Sequence, residues 1–142
     1  MLVYEYDEMK QTGLIWAAKR DYTVLAEKLV HARSRISFKD LLGRNALMLA
    51  VVNGNERLIR FLLCFNANPI TRNNKGLAAI HMSDDQTIVS MMNRVATSRA
   101  GLNFISDKEK RHKWWKNQVL NNLDPEGALM PYYDKILLFK NS

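Results

Sequence analysis

A repeat of 33 residues is the feature that most constrains the fold of this chain. Residues 40–50 (DLLGRNALMLA) recur as residues 73–83 (NNKGLAAIHMS), so that Gly76 stands 33 positions after Gly43. The same interval, counted backwards, reaches a third copy around Leu14. A fixed period of about 20 to 50 residues is typical of proteins in which similar units stack on their neighbours. The chain is therefore expected to be a short array of three units.

The second half of each copy has the spacing of an amphipathic helix. Residues 25–30 and 58–63 are apolar at positions i, i+1, i+4 and i+5, which places these side chains on one helical face. In the third copy, Ile88 and Met92 match the second copy only at an offset of 30, so three residues are missing between its helices. Each copy is thus predicted to form two short helices, with the third copy shortened. The predicted fold class is all-α.

This pattern resembles the ankyrin repeat, in which a turn, two helices and a closing loop follow one another. The middle copy carries the family residues Asp40, Gly43, Leu47, Ala50, Gly54, Leu58, Ile59, Leu62, Leu63, Ala67 and Asn68. The chain departs from the pattern where Asn45-Ala46 and Ala78-Ala79 replace the family's Thr-Pro pair, and where Lys10 stands at a glycine position. The resemblance implies an ankyrin-like helical repeat stack over roughly residues 8–95.

The repeat register divides the chain into two parts. A first domain, residues 1–95, is expected to hold repeats at about 8–40, 41–73 and 74–95, and residues 96–142 form the second part. Small residues at 96–101 are typical of a connection.

The second part is predicted to begin with a helix over about residues 107–123. Ser106 and Glu109 have the spacing of a capping box, with Ser106 as the N-cap, and Asp124-Pro125 is expected to stop the helix. Residues 128–139 are too apolar for a free tail and are expected to be ordered and partly extended. This segment either caps the last repeat or docks on another chain, and the sequence leaves both uses open.

Composition excludes several functional classes. The chain of 142 residues has a net charge of +7, which favours acidic partners. Its only cysteine, Cys64, cannot form an intramolecular disulfide and is expected to be a buried small hydrophobe. No stretch of the sequence is long and apolar enough to predict a transmembrane span. Localisation is therefore expected to be intracellular, in the cytoplasm or in an organelle such as the mitochondrion.

No motif predicts an enzyme, a cofactor or a metal site. The phosphate-binding and dinucleotide-binding glycine motifs are missing from the sequence, and no cluster has zinc-ligand spacing. The resemblance gives His81 a structural role, a hydrogen bond between neighbouring turns.

The resemblance also implies where a partner would bind, because ankyrin repeats generally use the turn tips and the exposed side of the first helix. Carried over residue by residue, these positions are Lys39, Leu41, Leu42, Arg44, Val52, Asn53, Asn74, Lys75 and Leu77. Leu41 and Leu42 are the informative pair, since two adjacent leucines at positions that usually face solvent predict an interface. The alternative is that the N-terminal segment, with Tyr4 and Tyr6, folds over them.

A second set of residues predicts a surface for an anionic partner. It comprises Lys108, Lys110, Arg111, Lys113, Trp114 and Lys116. Basic side chains can pair with phosphates and exposed indoles can stack on bases. The alternatives are a solvated basic helix face, an acidic protein, a lipid surface or, less favoured, nucleic acid.

These observations predict a non-catalytic protein–protein interaction module. Three repeats are marginal alone, so a permanently docked accessory subunit of a larger assembly, such as a mitochondrial respiratory or ribosomal complex, is the favoured form. The alternative function is a nucleic-acid- or ribosome-binding protein that uses the basic Trp-containing helix at 107–118.

Overall fold

The computed structural model describes residues 12–32 and 34–136. Its helices are α1 (Gly13–Lys19), α2 (Thr23–His31), α3 (Ala46–Asn53), α4 (Glu56–Cys64), α5 (Gln86–Leu102), α6 (Lys108–Trp115) and α7 (Asn121–Leu123). A π-helical turn, Lys116–Leu120, joins α6 to α7, and short 3-10 helices span Ala79–His81 and Met130–Lys135. The described residues contain no β-strand beyond an isolated bridge between Arg72 and Ala78, and the predicted all-α fold is confirmed.

The first two repeats are antiparallel helix pairs that stack on one another. Helix α1 packs on α2 and α3, and α4 packs on α2 and α3. Thr12 and Asn45, 33 positions apart, cap α1 and α3, because each side chain accepts a hydrogen bond from the backbone N–H three residues later. The left-handed residues Asp21 and Gly54, also 33 apart, turn the chain between the two helices of each pair.

The third repeat lacks its predicted first helix. Ala78 stands at the position of Thr12 and Asn45 but has no side-chain oxygen that could cap a helix, and only the 3-10 turn Ala79–His81 forms. The second helix keeps its cap, since the Asp85 side chain accepts a hydrogen bond from Thr87 N at 2.9 Å. The third unit is therefore a turn followed by one long helix.

Helix α5 is longer than the sequence predicts. It continues to Leu102, so the connection predicted at residues 96–101 is wrong, because these residues lie in its last turns. The N-cap of α6 is Asp107 and not Ser106 as predicted, since the Asp107 carboxylate accepts a hydrogen bond from Lys110 N at 3.0 Å. The two-domain division itself stays a prediction.

The C-terminal helices close the end of the stack. The apolar side of α6 and the segments that follow it is buried, with Trp115, Val119, Leu120 and Leu123 in the common core. Trp115 Nε1 donates a hydrogen bond to the carbonyl oxygen of Cys64 at 2.8 Å, at the end of α4. Among the described residues, α6 and the segments directly after it therefore cover this end of the stack, and the use of the tail at 128–139 stays open. No helix among the described residues has the length and apolarity that a membrane crossing needs.

Within the segment expected to be partly extended, Met130–Lys135 instead form a 3-10 helix that packs through two histidine–tyrosine contacts, and residues 137–139 lie outside the described residues. The ring of Tyr132 lies 3.9 Å from the ring of His31 in α2, and that of Tyr133 lies 4.9 Å from the ring of His112 in α6. Burial lowers the pKa of both histidines, and nearby lysines lower them further. Burial and Asp134 raise the pKa of Tyr133 to about 12.

The lowered pKa values of His31 and His112 predict that the protein becomes less stable as the pH is lowered from 7.5 to 5.5. The unfolded chain takes up protons at histidines as pH falls through about 6.5, while the folded chain, in which the pKa values are lower, resists protonation. The free energy of unfolding, measured by urea denaturation at pH 7.5 and 5.5, should decrease at the lower pH. The double variant His31→Phe/His112→Phe keeps the aromatic contacts and should flatten this dependence. An unchanged slope in the double variant would contradict the explanation.

Candidate functional site

The turn that precedes α3 is built on the carboxylate of Asp40. Its Oδ1 accepts hydrogen bonds from Leu42 N and Arg44 N, both at 2.9 Å, and its Oδ2 accepts one from Arg44 Nε at 2.8 Å. The Arg44 guanidinium also forms an ion pair with Asp40, whose side chain is fully buried. Gly43 completes the turn in the left-handed conformation, at φ 77°.

The next turn repeats this arrangement with an amide in place of the carboxylate. Asn73 Oδ1 accepts hydrogen bonds from Lys75 N at 2.9 Å and Leu77 N at 3.0 Å, and Gly76 has φ 78°. The sequence pattern placed the two glycines correctly, because the same backbone geometry needs a residue without a Cβ.

The two turns are bonded side by side. Asn74 donates from its backbone N to Leu42 O at 3.1 Å and from Nδ2 to Leu41 O at 2.7 Å. Lys39 Nζ donates to Arg72 O at 3.0 Å. These contacts hold the tips of the second and third repeats in one fixed arrangement.

Leucine side chains remain exposed on these bonded tips. Leu41, Leu42 and Leu77, called the tip patch below, keep 49%, 48% and 45% of their surface accessible. Their backbone groups are held by the turns, so the side chains are presented without a mobile loop. Tyr4 and Tyr6, the alternative cover for Leu41 and Leu42, lie outside the described residues.

The other residues predicted for partner binding divide into two groups. Val52 on α3 is exposed, as is Lys75 at the third turn. Asn53, Asn74 and Arg44 have structural partners. Asn53 Nδ2 donates to the carbonyl oxygens of the first repeat at residues 18 and 19, both at 3.1 Å, so it links neighbouring units.

The structure does not bring all residues of the basic helix to one surface. Lys108, Lys110, Lys113 and Lys116 are exposed on α6 and the turn that follows it. Arg111 is buried, and its Nη1 donates to Leu102 O at 2.6 Å and Ile105 O at 2.9 Å.

Trp114 is only partly buried, but its ring packs on α5. Its Nε1 donates to Ser98 O at 3.2 Å, and its ring lies against Gly101, where any Cβ would approach it to 2.7 Å. The predicted interleaving of exposed cations and exposed indoles is therefore wrong for these two residues. The reason is that α6 packs its Arg111 and Trp114 side chains on α5.

Cys64 and His81, whose side chains could in principle act in catalysis or bind a metal, have structural surroundings. Burial raises the pKa of the Cys64 thiol to about 12, with Asp124 adding to the shift. His81 Nδ1 accepts a hydrogen bond from Ala78 N at 3.1 Å, within one turn rather than between neighbouring turns as predicted. Within residues 12–32 and 34–136, no group of His, Cys, Asp and Glu side chains is arranged to hold a metal ion.

Sequence reasoning missed a cavity of about 420 Å³ at the end of the helices opposite the turn from α1 to α2. Its walls come from the loop after α2, the start of α3, the loop after α4, the helix α5 and the 3-10 helix Met130–Lys135. No local motif marks it, because each segment contributes only a few residues.

Comparison with known proteins identifies a repeat family. A family model of ankyrin repeats matches residues 3–91, in three copies. The sequence resemblance had given residues 8–95, so the matched region begins and ends slightly earlier. No curated protein matches the chain.

The bonded tips predict unequal effects of two identical glycine substitutions. Gly76→Ala should cost about 1–2 kcal/mol of unfolding free energy, from the left-handed backbone alone, because its added Cβ meets open space. Gly43→Ala should cost about 1–3 kcal/mol more, because the added Cβ would lie 2.6 Å from Asn74 Oδ1 and 2.7 Å from Asn74 N. Urea denaturation of the two variants measures the difference, and equal losses would contradict the bonded-tip geometry.

Proposed function

Because the chain belongs to the ankyrin-repeat family, we propose that it is a protein-docking module whose tip patch receives apolar side chains of a partner protein. Ankyrin repeats generally mediate protein–protein interaction, and the family is typically non-catalytic. The single observation that supports this site is the pairing of three exposed leucines with a rigid, hydrogen-bonded support.

Exposure alone does not make an interface, but a fixed apolar patch on bonded backbone does favour one. Transfer of apolar surface out of water contributes about 25 cal/mol per Å², from which the costs of association are subtracted. Since the turns already hold Leu41 and Leu42, a partner orders little additional chain when it binds.

The charges around the tip patch add a preference for the partner. Lys75 is exposed beside Leu77, and the chain as a whole carries a net charge of +7. Arg44 is less available, because its guanidinium is paired with Asp40. A partner segment with apolar residues flanked by acidic residues would therefore match this surface best.

The C-terminal helices reduce the need for a permanently docked partner. The sequence suggested that a partner supplies the neighbour that a three-repeat stack lacks, yet α6 and Trp115 already pack at that end. Membership of a larger assembly, including a mitochondrial respiratory or ribosomal complex, and an intracellular location stay predictions from the sequence. The nucleic-acid alternative is not proposed, because Arg111 and Trp114 serve the packing of α6.

The decisive test substitutes the tip patch in the full chain. The chain is purified with its native companions, each companion is identified and prepared alone, and its affinity is measured by isothermal titration calorimetry. Leu41→Asp and Leu42→Asp should each weaken binding by about thirtyfold or more, the loss typical of a central interface residue.

A matched control makes the same kind of substitution, an exposed apolar residue to Asp, away from the tip patch. Val24, half-exposed on α2, lies near a helix N-terminus where Asp is tolerated, so Val24→Asp should leave affinity unchanged. Circular dichroism checks that all three variants remain folded. Equal losses from Val24→Asp, or full affinity in the folded leucine variants, would refute docking at the tip patch.

A further inference from the structure

The cavity of about 420 Å³ has the size of a small-molecule site, since such sites usually enclose about 300–1,000 Å³. It is not the tip patch. Described residues from five separate segments line it, and none of them belongs to the tip patch, although Lys39 lines the cavity and also donates to Arg72 O near the tips. A cavity with walls from that many elements has a shape fixed by the whole fold.

All charged side chains among the described lining residues are cationic. Four cationic side chains contribute to the cavity wall, Arg35, Lys39, Arg99 and Lys135, and none of its described lining residues is acidic. Like charges gathered around one space repel one another, and an anion in that space relieves the repulsion.

Arg99 is the most deeply placed of the four cations. Its Nη1 donates to Asn66 O at 2.7 Å and also to Asn66 Oδ1, which fixes the guanidinium at the wall. Burial lowers the pKa of Arg99, so that the cation has lost part of its hydration. An arginine held in this way recognises carboxylate and phosphate oxygens better than a freely rotating lysine.

Ser34 provides an independent polar signal. The residue is more than nine-tenths buried and lines the cavity, yet among the described residues its Oγ has no hydrogen-bond partner. A buried hydroxyl without a partner costs free energy, and a ligand oxygen inside the cavity would satisfy it.

Apolar side chains also contribute to the wall, beside further polar ones. Val30, Ile36, Leu47 and Phe65 contribute side chains from α2, the loop after it, α3 and the residue after α4. A bare inorganic ion would leave these groups against water, whereas a hydrocarbon or aromatic body would cover them.

We propose that this cavity is a binding site for a small organic oxyanion, a carboxylate or phosphate attached to an apolar body. The oxyanion contacts the cationic wall and the Ser34 hydroxyl, and the apolar body packs against Phe65 and its neighbours. Phosphate and carboxylate share this chemistry, and the choice between them is left to the probes.

The test uses four probes on the full chain, measured by isothermal titration calorimetry at pH 7.5. 1-Naphthyl phosphate and 1-naphthoate carry both required parts, 1-naphthol lacks the anion, and inorganic phosphate lacks the apolar body. At least one of the two complete probes should bind with one-to-one stoichiometry and at least about tenfold more tightly than either incomplete probe, a difference that one hydrogen bond to a charged group typically supplies. The tighter of the complete probes identifies the preferred oxyanion.

Variants locate the binding in the cavity. Lys135→Gln and Ser34→Ala should each weaken the tighter probe, by about tenfold for the charged group and by less for the neutral hydroxyl. Lys113→Gln removes the same charge from the exposed surface of α6 and should leave affinity unchanged. Arg99 is not a suitable test residue, because its bond to Asn66 supports the fold.

Several results would overturn the proposal. Failure of both complete probes to bind at millimolar concentration would do so, as would equal binding of 1-naphthol, which indicates an apolar cavity without anion recognition. Equal binding of inorganic phosphate would indicate a surface ion site. If Lys113→Gln and Lys135→Gln weakened probe binding equally, the loss would reflect the net charge of the chain and not a contact in the cavity. None of these results bears on the tip patch, since the probes and the substituted residues are separate from it.

Discussion

The stack depends on a recurring hydrogen bond in which each unit satisfies backbone carbonyl groups of the unit before it. The last carbonyls of a helix, and those of tight turns, have no partner within their own element. Asn53 donates to the end of α1, Asn74 to the carbonyl of Leu41, and Trp115 to that of Cys64 at the end of α4. Arg99 donates to the carbonyl of Asn66 in the same manner. Removing a unit would therefore expose apolar surface and leave these carbonyls unpaired.

This interaction explains why the third unit could lose a helix without ending the stack. Ala78 cannot cap a first helix, but the turn before it keeps Asn73, whose side chain holds that turn, and Asn74, which donates to the turn of the second repeat. The long helix α5 then supplies the surface on which α6 packs. The terminal unit is thus adapted to close the array, and the C-terminal helices perform the role that a further repeat would have.

Much of the fold could be predicted from the sequence because the repeat is recorded in local residues. Gly43 and Gly76 mark the turns, and the offset of 30 in the third copy corresponds to the caps Asn55 and Asp85. The end of α5 could not be predicted in this way, because small residues at 96–101 are compatible with a loop or with a helix that packs closely on another element. Gly101 is helical here since the ring of Trp114 occupies the space beside it, a contact that no sequence window contains.

For the candidate sites, too, the sequence predicts what depends on local residues and does not predict what depends on contacts between distant segments. The exposure of Leu41 and Leu42 follows from their turn register, which the repeat makes visible. The burial of Arg111 follows from carbonyls of Leu102 and Ile105 that come together only when α5 and α6 pack.

The positive charge of the chain acts differently at its two proposed sites. At the tip patch, Arg44 is neutralised by Asp40, so binding there would rest mainly on burial of leucine side chains and would respond weakly to salt. In the cavity, four cations line one space without an acidic group among the described lining residues; Arg99 is partly buried and the other three are exposed, so salt should weaken their attraction for an anion. Net charge, which the sequence offers as the first indication of a partner, therefore describes neither site well.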